Sequence, residues 1–176
     1  MKRFAFTLLE LVFVLIVIGI LAVLAMPNFR GHPLQDAAQQ VADHIRYTQH
    51  LAMIDDKYDP SDTTWWQTRW QLTIAGTSYD LYSDRDKDGA LTAGEAAVDP
   101  LTKTPIAAID LGADYGITAI TAATIAFDNM GRPYNALATI YGGLIQADTN
   151  ITLSHNDGQA IITIHPETGY VSVTYP

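Results

Sequence analysis

One apolar stretch near the start of this chain constrains its fold more than any other feature. Residues 6–26 read FTLLELVFVLIVIGILAVLAM and contain a single ionisable side chain, that of Glu10. As an α-helix rising about 1.5 Å per residue, this segment would be about 31 Å long, enough to cross the hydrocarbon core of a bilayer. Lys2 and Arg3 precede it, and basic residues favour the cytoplasmic side. The stretch therefore predicts a single-pass inner-membrane protein with its N-terminus in the cytoplasm and its C-terminal domain outside.

Two other interpretations of this stretch fit less well. A cleaved secretory signal has an apolar region of about 7–15 residues and then a small-residue cleavage site, whereas this run is longer and no Ala-x-Ala site follows it. A buried core helix of this length normally carries polar interruptions. The length and the flanking residues therefore favour a membrane span.

Glu10 is the one charged residue within the run. Burying a carboxylate is costly unless it has a partner, and the run contains no Lys or Arg. A partner from another chain is therefore predicted, and the simplest is the free α-amino group of a neighbouring copy that has been cut before Phe6. The alternative is a carboxylate that reaches the interface and stays hydrated.

The residues around Glu10 resemble the N-terminal segment of type IV pilins and of the pseudopilins of type II secretion. The resemblance lies in Ala5 and the following FTLLE, in the long apolar helix with Gly19, and in Pro27 at its end. It implies that a prepilin peptidase cuts between Ala5 and Phe6 and methylates Phe6, and that Glu10 is the assembly residue. The family usually has Gly where this chain has Ala5.

The C-terminal part of the chain resembles the H-type minor pseudopilins of type II secretion and the related FimT-like minor pilins. The similar segments are IAFD at 125–128, GRP at 131–133, IITI at 161–164 and TGYV at 168–171. This resemblance implies a filament subunit that initiates or caps a short periplasmic pseudopilus. Its implied partners are other pilins or pseudopilins, the inner-membrane assembly platform and membrane lipid. The alternative role is a minor pilin of a type IV pilus that serves assembly, adhesion or DNA uptake.

The spacing of apolar residues predicts the secondary structure of the chain after its apolar N-terminal run. Apolar side chains recur every three or four residues from Leu34 to Ala52, which predicts an amphipathic helix with His44 and His50 on or near its solvated side. Alternation over 66–74 predicts a strand, and the last 55 residues are short apolar runs separated by Asn/Asp-Gly turns, which favour antiparallel pairing. The predicted fold class is α+β, with a long N-terminal α-helix (a transmembrane half plus an amphipathic half) packed on an antiparallel β-sheet or β-sandwich.

These patterns together predict four segments. They are a leader at 1–5, a transmembrane and assembly helix at 6–27, an amphipathic helix at 28–55 and an extracytoplasmic β-rich domain at 56–176.

The segment DRDKDGALTAGE at 84–95 matches the calcium-loop pattern D-x-D-x-D-G-x5-E at every fixed position. Calcium binds six to eight oxygens, and Gly89 permits the sharp turn that brings them together. Because a strand is predicted before it, we expect an isolated structural Ca²⁺ loop and not a complete EF-hand. The alternative is an acidic surface turn without an ion. The predicted ligands are Asp84, Asp86, Asp88, the backbone carbonyl of Ala90, Thr92 directly or through water, and Glu95.

Charge and side-chain placement argue against two other functions. The formal net charge is −9, and residues 161–176 contain no Lys or Arg, so binding to a phosphate backbone is disfavoured. Ser154, His155 and Asp157 are close in sequence, but neighbouring residues on a strand seldom converge into a catalytic triad. We therefore predict neither nucleic-acid binding nor enzymatic activity.

Overall fold

The computed structural model describes residues 7–25 and 31–176. Its contacts divide the chain into an N-terminal unit that ends at His32 and a second unit from Pro33 to Pro176. The two units are described separately below.

Among the described residues of the N-terminal unit there is one helix, α1, from Leu8 to Ala25. Thr7 caps it, because the Thr7 Oγ1 accepts a hydrogen bond from the backbone N–H of Glu10 at 3.2 Å. Residues 7–22 are all exposed. Since the sequence of α1 is apolar on every side, the helix has no polar face to present to water.

The predicted long N-terminal helix is wrong. Helix α1 ends at Ala25, and the next helix, α2, is a separate element that begins at Pro33, where proline suits the first turn of a new helix. Within residues 7–25 and 31–176, no helix is both long enough and apolar enough to cross a membrane. The 18 described residues of α1 are fewer than the roughly 20 of a typical membrane span. This finding contradicts the predicted transmembrane helix and the predicted single-pass inner-membrane location with a periplasmic domain.

Helix α2 runs from Pro33 to Ile54 and organises the second unit. The predicted amphipathic pattern is confirmed, since every apolar position on which it rested is buried. Several of these positions are alanine, so strands can approach the helix closely. The buried face consists of Leu34, Ala37, Ala38, Val41, Ala42, Ile45, Thr48 and Ala52.

Nine strands form two antiparallel sheets in this unit. The first sheet has the order β3-β2-β1-β5-β6, and the second has the order β4-β7-β8-β9. A short helix, α3, spans Leu111–Tyr115. The strands are β1 (Trp70–Ala75), β2 (Ser78–Ser83), β3 (Ile109–Asp110), β4 (Ala119–Ile120), β5 (Ala123–Phe127), β6 (Pro133–Tyr134), β7 (Thr149–His155), β8 (Gly158–Ile164) and β9 (Val171–Thr174).

The core lies where α2 meets both sheets. Alternate residues of β8 are buried, namely Ala160, Ile162 and Ile164, as the period of a strand with one covered face requires. The predicted turn at 156–158 is confirmed, because His155 pairs with Gly158 and joins β7 to β8.

The strand predicted over 66–74 begins later than expected, at Trp70. Residues Trp65–Thr68 form a 3₁₀-helix instead. The Asp62 carboxylate accepts hydrogen bonds from the backbone N–H and the hydroxyl of Thr64, at 2.9 and 2.8 Å, and these bonds turn the chain just before the tryptophans. Such local side-chain bonds compete with extended structure.

Gln49 of α2 holds one turn of each sheet. Its Nε2 donates to the backbone carbonyl oxygen of Gly131, between β5 and β6, and to that of Thr168, between β8 and β9, each at 2.8 Å. We call this pair of contacts the Gln49 bridge. Gly169 lies against it with a φ of +63°.

His44 is half-buried, so the prediction that it is solvated is wrong, while His50 is exposed as predicted. The His44 Nδ1 lies 2.7 Å from the hydroxyl of Tyr79, which is 1% exposed. Gln40 donates to the same hydroxyl at 3.0 Å. Burial lowers the pKa of His44, and the opposing charges of Asp99 and Asp43 only partly offset this effect.

Stability is therefore expected to fall as the pH drops through the ordinary pKa of histidine, near 6.5. A histidine whose pKa is lower in the folded state favours the unfolded state once the unfolded chain begins to bind the proton. Urea unfolding between pH 7.5 and pH 5 measures this slope, and His44→Gln should flatten it. His50→Gln is the matched exposed control. An unchanged slope in His44→Gln would contradict the assignment to His44.

Candidate metal centre

The acidic loop at 84–95 leaves the end of β2 and returns to the same strand. Tyr82 forms an isolated antiparallel bridge with Ala96, and the backbone N–H of Ser83 donates to the carbonyl oxygen of Glu95 at 3.2 Å. A strand therefore precedes the loop, as predicted, and the loop is closed at its base by main-chain hydrogen bonds. These bonds fix where its side chains converge.

Three of the predicted ligands lie together. Asp84, Asp86 and Asp88 each offer a carboxylate oxygen, and the three oxygens lie within 4.8 Å of one another. Asp84 is buried at 4% exposure, whereas Asp86 and Asp88 are exposed. Three carboxylates this close repel one another unless a cation or protons neutralise them.

Asp84 is the distinctive member of this group. Its Oδ2 accepts a hydrogen bond from the backbone N–H of Gly89 at 2.9 Å, but its Oδ1 is buried without any hydrogen-bond partner. Burial raises the pKa of Asp84 above its ordinary value. A buried unpaired carboxylate oxygen is costly, and a cation held between the three aspartates would satisfy it. Gly89 has a φ of +82°, which confirms the sharp turn expected there.

The Glu95 carboxylate accepts hydrogen bonds from several groups of the loop. Its Oε1 accepts from the backbone N–H of Arg85 at 2.6 Å and from that of Asp86 at 3.3 Å, while its Oε2 accepts from the N–H and the hydroxyl of Thr92, both at 2.8 Å. Burial alone would raise the pKa of Glu95, but these hydrogen bonds outweigh it and lower the pKa. Glu95 therefore pins the loop backbone, and its role as a bidentate ligand stays a prediction.

The other two predicted ligands occupy the rim of the loop. Ala90 is exposed, and its N–H donates to the Asp88 carboxylate at 2.8 Å. The hydroxyl of Thr92 lies 3.3 Å from the Asp86 Oδ2. Ligation by the Ala90 carbonyl and by Thr92 also stays a prediction.

The lysine of the loop does not neutralise the aspartates. The Lys87 Nζ makes an ion pair with Asp62 and donates to the Thr64 hydroxyl at 2.8 Å, both outside the loop. The Lys87 hydrogen bond is the main reason why the pKa of Asp62 is lowered to about 2. Lys87 therefore does not balance the charge of Asp84, Asp86 and Asp88.

The donor set suits a hard divalent cation. Carboxylate oxygens, a backbone carbonyl and a hydroxyl are typical calcium ligands, and the buried Asp84 Oδ1 gives the cluster a fixed inner ligand. The loop borders an open cleft of about 320 Å³, so water can complete the coordination. The cleft is lined by Gln67, Gln71, Thr73, Tyr82, Asp84, Lys87, Asp88, Gly89, Thr124 and Leu137.

The N-terminal residues implicated by the sequence are placed only in part. Ala5 and Phe6, the predicted cleavage and methylation positions, lie outside the described residues. Glu10 is exposed in the first turn of α1, where a carboxylate also favours the helix macrodipole. Comparison with family models, curated proteins and solved structures finds no match. The resemblance to pilins therefore rests on the residues named above.

One arrangement of polar side chains was missed from the sequence. The His165 Nδ1 lies 2.9 Å from the Asp148 Oδ1, and its Nε2 lies 3.4 Å from the Ser172 hydroxyl. The sequence alone does not show which strands pair, and it is the pairing that brings these residues together. The serine contact is long for a hydrogen bond and His165 is open to solvent, so we interpret the group as a polar cross-strand contact.

Proposed function

We propose that this chain is a pilin-like filament subunit, of the minor pseudopilin kind, whose β-rich unit carries a structural calcium ion. The exposed apolar helix α1 is the observation that supports the filament role. Throughout residues 7–22 the side chains of this helix are exposed, and several large ones exceed half exposure, including Leu8 at 83%, Phe13 at 66% and Leu15 at 61%. A continuous apolar surface of this kind normally marks an interaction site.

Packing among copies would cover this surface. Helices that are apolar on all sides are stable when other helices surround them, and side-by-side α1 helices in a filament core would do this. Glu10 lies at the start of each helix. A carboxylate that enters such a core requires a cationic partner, and the N-terminus of the adjacent copy is the partner implied by the pilin resemblance.

The calcium site is the second part of the proposal and rests on the buried, unpartnered Oδ1 of Asp84. The chain has no cysteine, so no disulfide can brace its loops. A bound ion would instead hold the 84–95 loop against β2 without taking part in any reaction.

Single-cysteine crosslinking tests the filament role directly, because any disulfide must come from the introduced residue. Leu9→Cys and Ile16→Cys are expected to give disulfide-linked dimers on oxidation in cells that assemble the filament. Asp157→Cys, on an exposed side chain of the second unit, is the control for random collision. Crosslinking of the α1 positions no greater than that of Asp157→Cys would contradict a packed core of α1 helices.

A Glu10→Gln change in the Leu9→Cys background separates assembly from nonspecific aggregation. We expect it to reduce the crosslinked fraction by about tenfold or more, as the loss of roughly 1.4 kcal/mol per subunit contact requires. Thr7→Ala removes the helix cap but keeps the carboxylate, so it controls for helix stability. Equal losses from Glu10→Gln and Thr7→Ala would assign Glu10 to helix capping alone.

A further inference from the structure

Arg69 is a buried cation that the proposed function does not use. It is 4% exposed, and its Nε and Nη1 are buried without hydrogen-bond partners. Within the described part of the chain, no carboxylate lies within ion-pair distance of it. Five N–H donors in a planar fork make arginine suited to two-point contact with a carboxylate.

Two aromatic rings hold the Arg69 guanidinium in place. Its central carbon lies 5.0 Å from the centre of the Trp65 ring and 4.4 Å from the centre of the Tyr134 ring. These cation–π contacts offset part of the cost of burial, but they leave Nε and Nη1 without acceptors. The guanidinium is therefore fixed in orientation and retains unused hydrogen-bonding capacity.

The acid whose charge acts on Arg69, Asp128, already has hydrogen-bond partners. The Asp128 carboxylate, at 3% exposure, accepts from the Arg132 Nε at 2.8 Å and lies 2.7 Å from the Arg132 Nη2. It also accepts from the Tyr134 hydroxyl at 3.2 Å. Arg132 thus engages the Asp128 carboxylate, and Arg69 has no ion-pair partner of its own among the described residues.

Arg69 forms part of the wall of a cleft of about 250 Å³. The exposed rings of Tyr58 and Tyr141 border the opening, with 59% and 67% exposure, and Trp65 lines it with Arg69. Tyr, Trp and Arg are the residues most often found at the energetic centres of binding interfaces. A smaller cavity of about 10 Å³ on Arg69 holds at most one water, so only the larger cleft can admit a ligand.

We propose that this cleft binds a monocarboxylate carried on an apolar or aromatic stem, such as the end of a peptide chain. The carboxylate would take the donors of Arg69, and the stem would lie between Tyr58, Trp65 and Tyr141. Asp56 and Asp128 also border the cleft, so their charges disfavour a phosphate dianion. This binding depends on neither the filament role nor the calcium site.

Binding of 3-phenylpropionate to the full chain tests the proposal, with tryptophan fluorescence and ligand-observed NMR as readouts. We expect a Kd on the order of 1 mM, as the size of the ligand allows. The neutral amide, 3-phenylpropionamide, should bind at least about tenfold more weakly, because it lacks the charge. Equal affinity for acid and amide, or competition by inorganic phosphate at the same concentration as the acid, would overturn the proposal.

Two variants and one peptide pair complete the test. Arg69→Lys keeps the positive charge but loses the planar set of N–H donors, and it should abolish binding. Tyr141→Ala leaves Arg69, Trp65 and Tyr134 unchanged and should weaken binding about three- to tenfold. Undiminished binding in a folded Arg69→Lys would refute the assignment, and undiminished binding in Tyr141→Ala would do so if Arg69→Lys does not fold. Acetyl-Gly-Gly-Phe with a free or an amidated C-terminus then identifies the kind of ligand. If the natural ligand is a peptide end, the free-acid peptide binds and the amide does not. If the cleft takes only small free acids, 3-phenylpropionate binds and neither peptide does.

Discussion

Calcium at about 10 mM is expected to raise the melting temperature of this chain by roughly 5–11 °C. Calcium sites in extracellular modules have Kd values of about 10⁻⁴ to 10⁻³ M, and at the tighter limit about 10 mM free ion is a hundred times the Kd and stabilises the folded state by about 2.7 kcal/mol. For a chain of this size, each kcal/mol corresponds to roughly 2–4 °C. Differential scanning fluorimetry with calcium, magnesium and EDTA measures the shift, and magnesium should give a smaller one because it demands stricter geometry.

Asp84→Asn supplies the sharper half of this prediction. Without calcium the variant should be as stable as the original chain or more so, because the buried Oδ1 no longer belongs to an uncompensated carboxylate. With calcium it should show almost no shift. Asp114→Asn, at an exposed position outside the loop, is the matched control and should keep the full response. If Asp84→Asn keeps the calcium-dependent rise in melting temperature, the calcium site does not lie in this loop.

Gly169→Ala is expected to cost roughly 2–5 kcal/mol of unfolding free energy. An added Cβ would lie 2.6 Å from the Gln49 Nε2, 2.7 Å from the Gly131 carbonyl oxygen and 2.9 Å from the Phe127 Cε1. Its backbone is also in the left-handed region, which costs an L-residue about 1–2 kcal/mol, and overpacking adds about 1–3 kcal/mol. Urea unfolding, monitored by tryptophan fluorescence, gives the difference.

Gly76→Ala separates the two contributions. Gly76 has almost the same φ, +64° against +63°, but a Cβ there would meet no atom within 4 Å. It should therefore lose only the conformational part, about 1–2 kcal/mol. If both variants lose the same amount, the crowding around the Gln49 bridge contributes nothing.

The parts of the fold that the sequence predicted are those set by local pattern. The apolar positions of α2 face the core because a helix repeats every 3.6 residues and the repeat is intact from Leu34 to Ala52. The Asn156-Asp157-Gly158 turn was recognisable because such residues suit tight hairpins. In the acidic loop, the fixed spacing of the aspartates was enough to predict that Asp84, Asp86 and Asp88 converge.

Contacts between distant segments were beyond the sequence. The solvated interpretation of His44 failed because Tyr79, 35 residues away, covers one side of it. The strand predicted through Trp66 failed because the Asp62 side chain turns the chain first. Arg69 showed no sign of burial in a segment that simply alternates, and the sequence did not indicate that Glu95 accepts from the backbone N–H groups of Arg85 and Asp86. The transmembrane prediction depended on the whole apolar run acting as one helix, and within the described residues α1 comprises Leu8–Ala25.

The Gln49 bridge also has a consequence for how the two sheets are held in alignment. In the described chain the sheets share no hydrogen-bonded strand pair, so sideways slip of one against the other would break no ladder. A single amide nitrogen on α2 bonds to a turn of each sheet, and such slip would have to break at least one of those bonds. Gln49 thus links the two sheets through α2. Gln49→Leu would leave the hydrogen bonds within each sheet intact but would remove both bonds that oppose a sliding movement between the sheets.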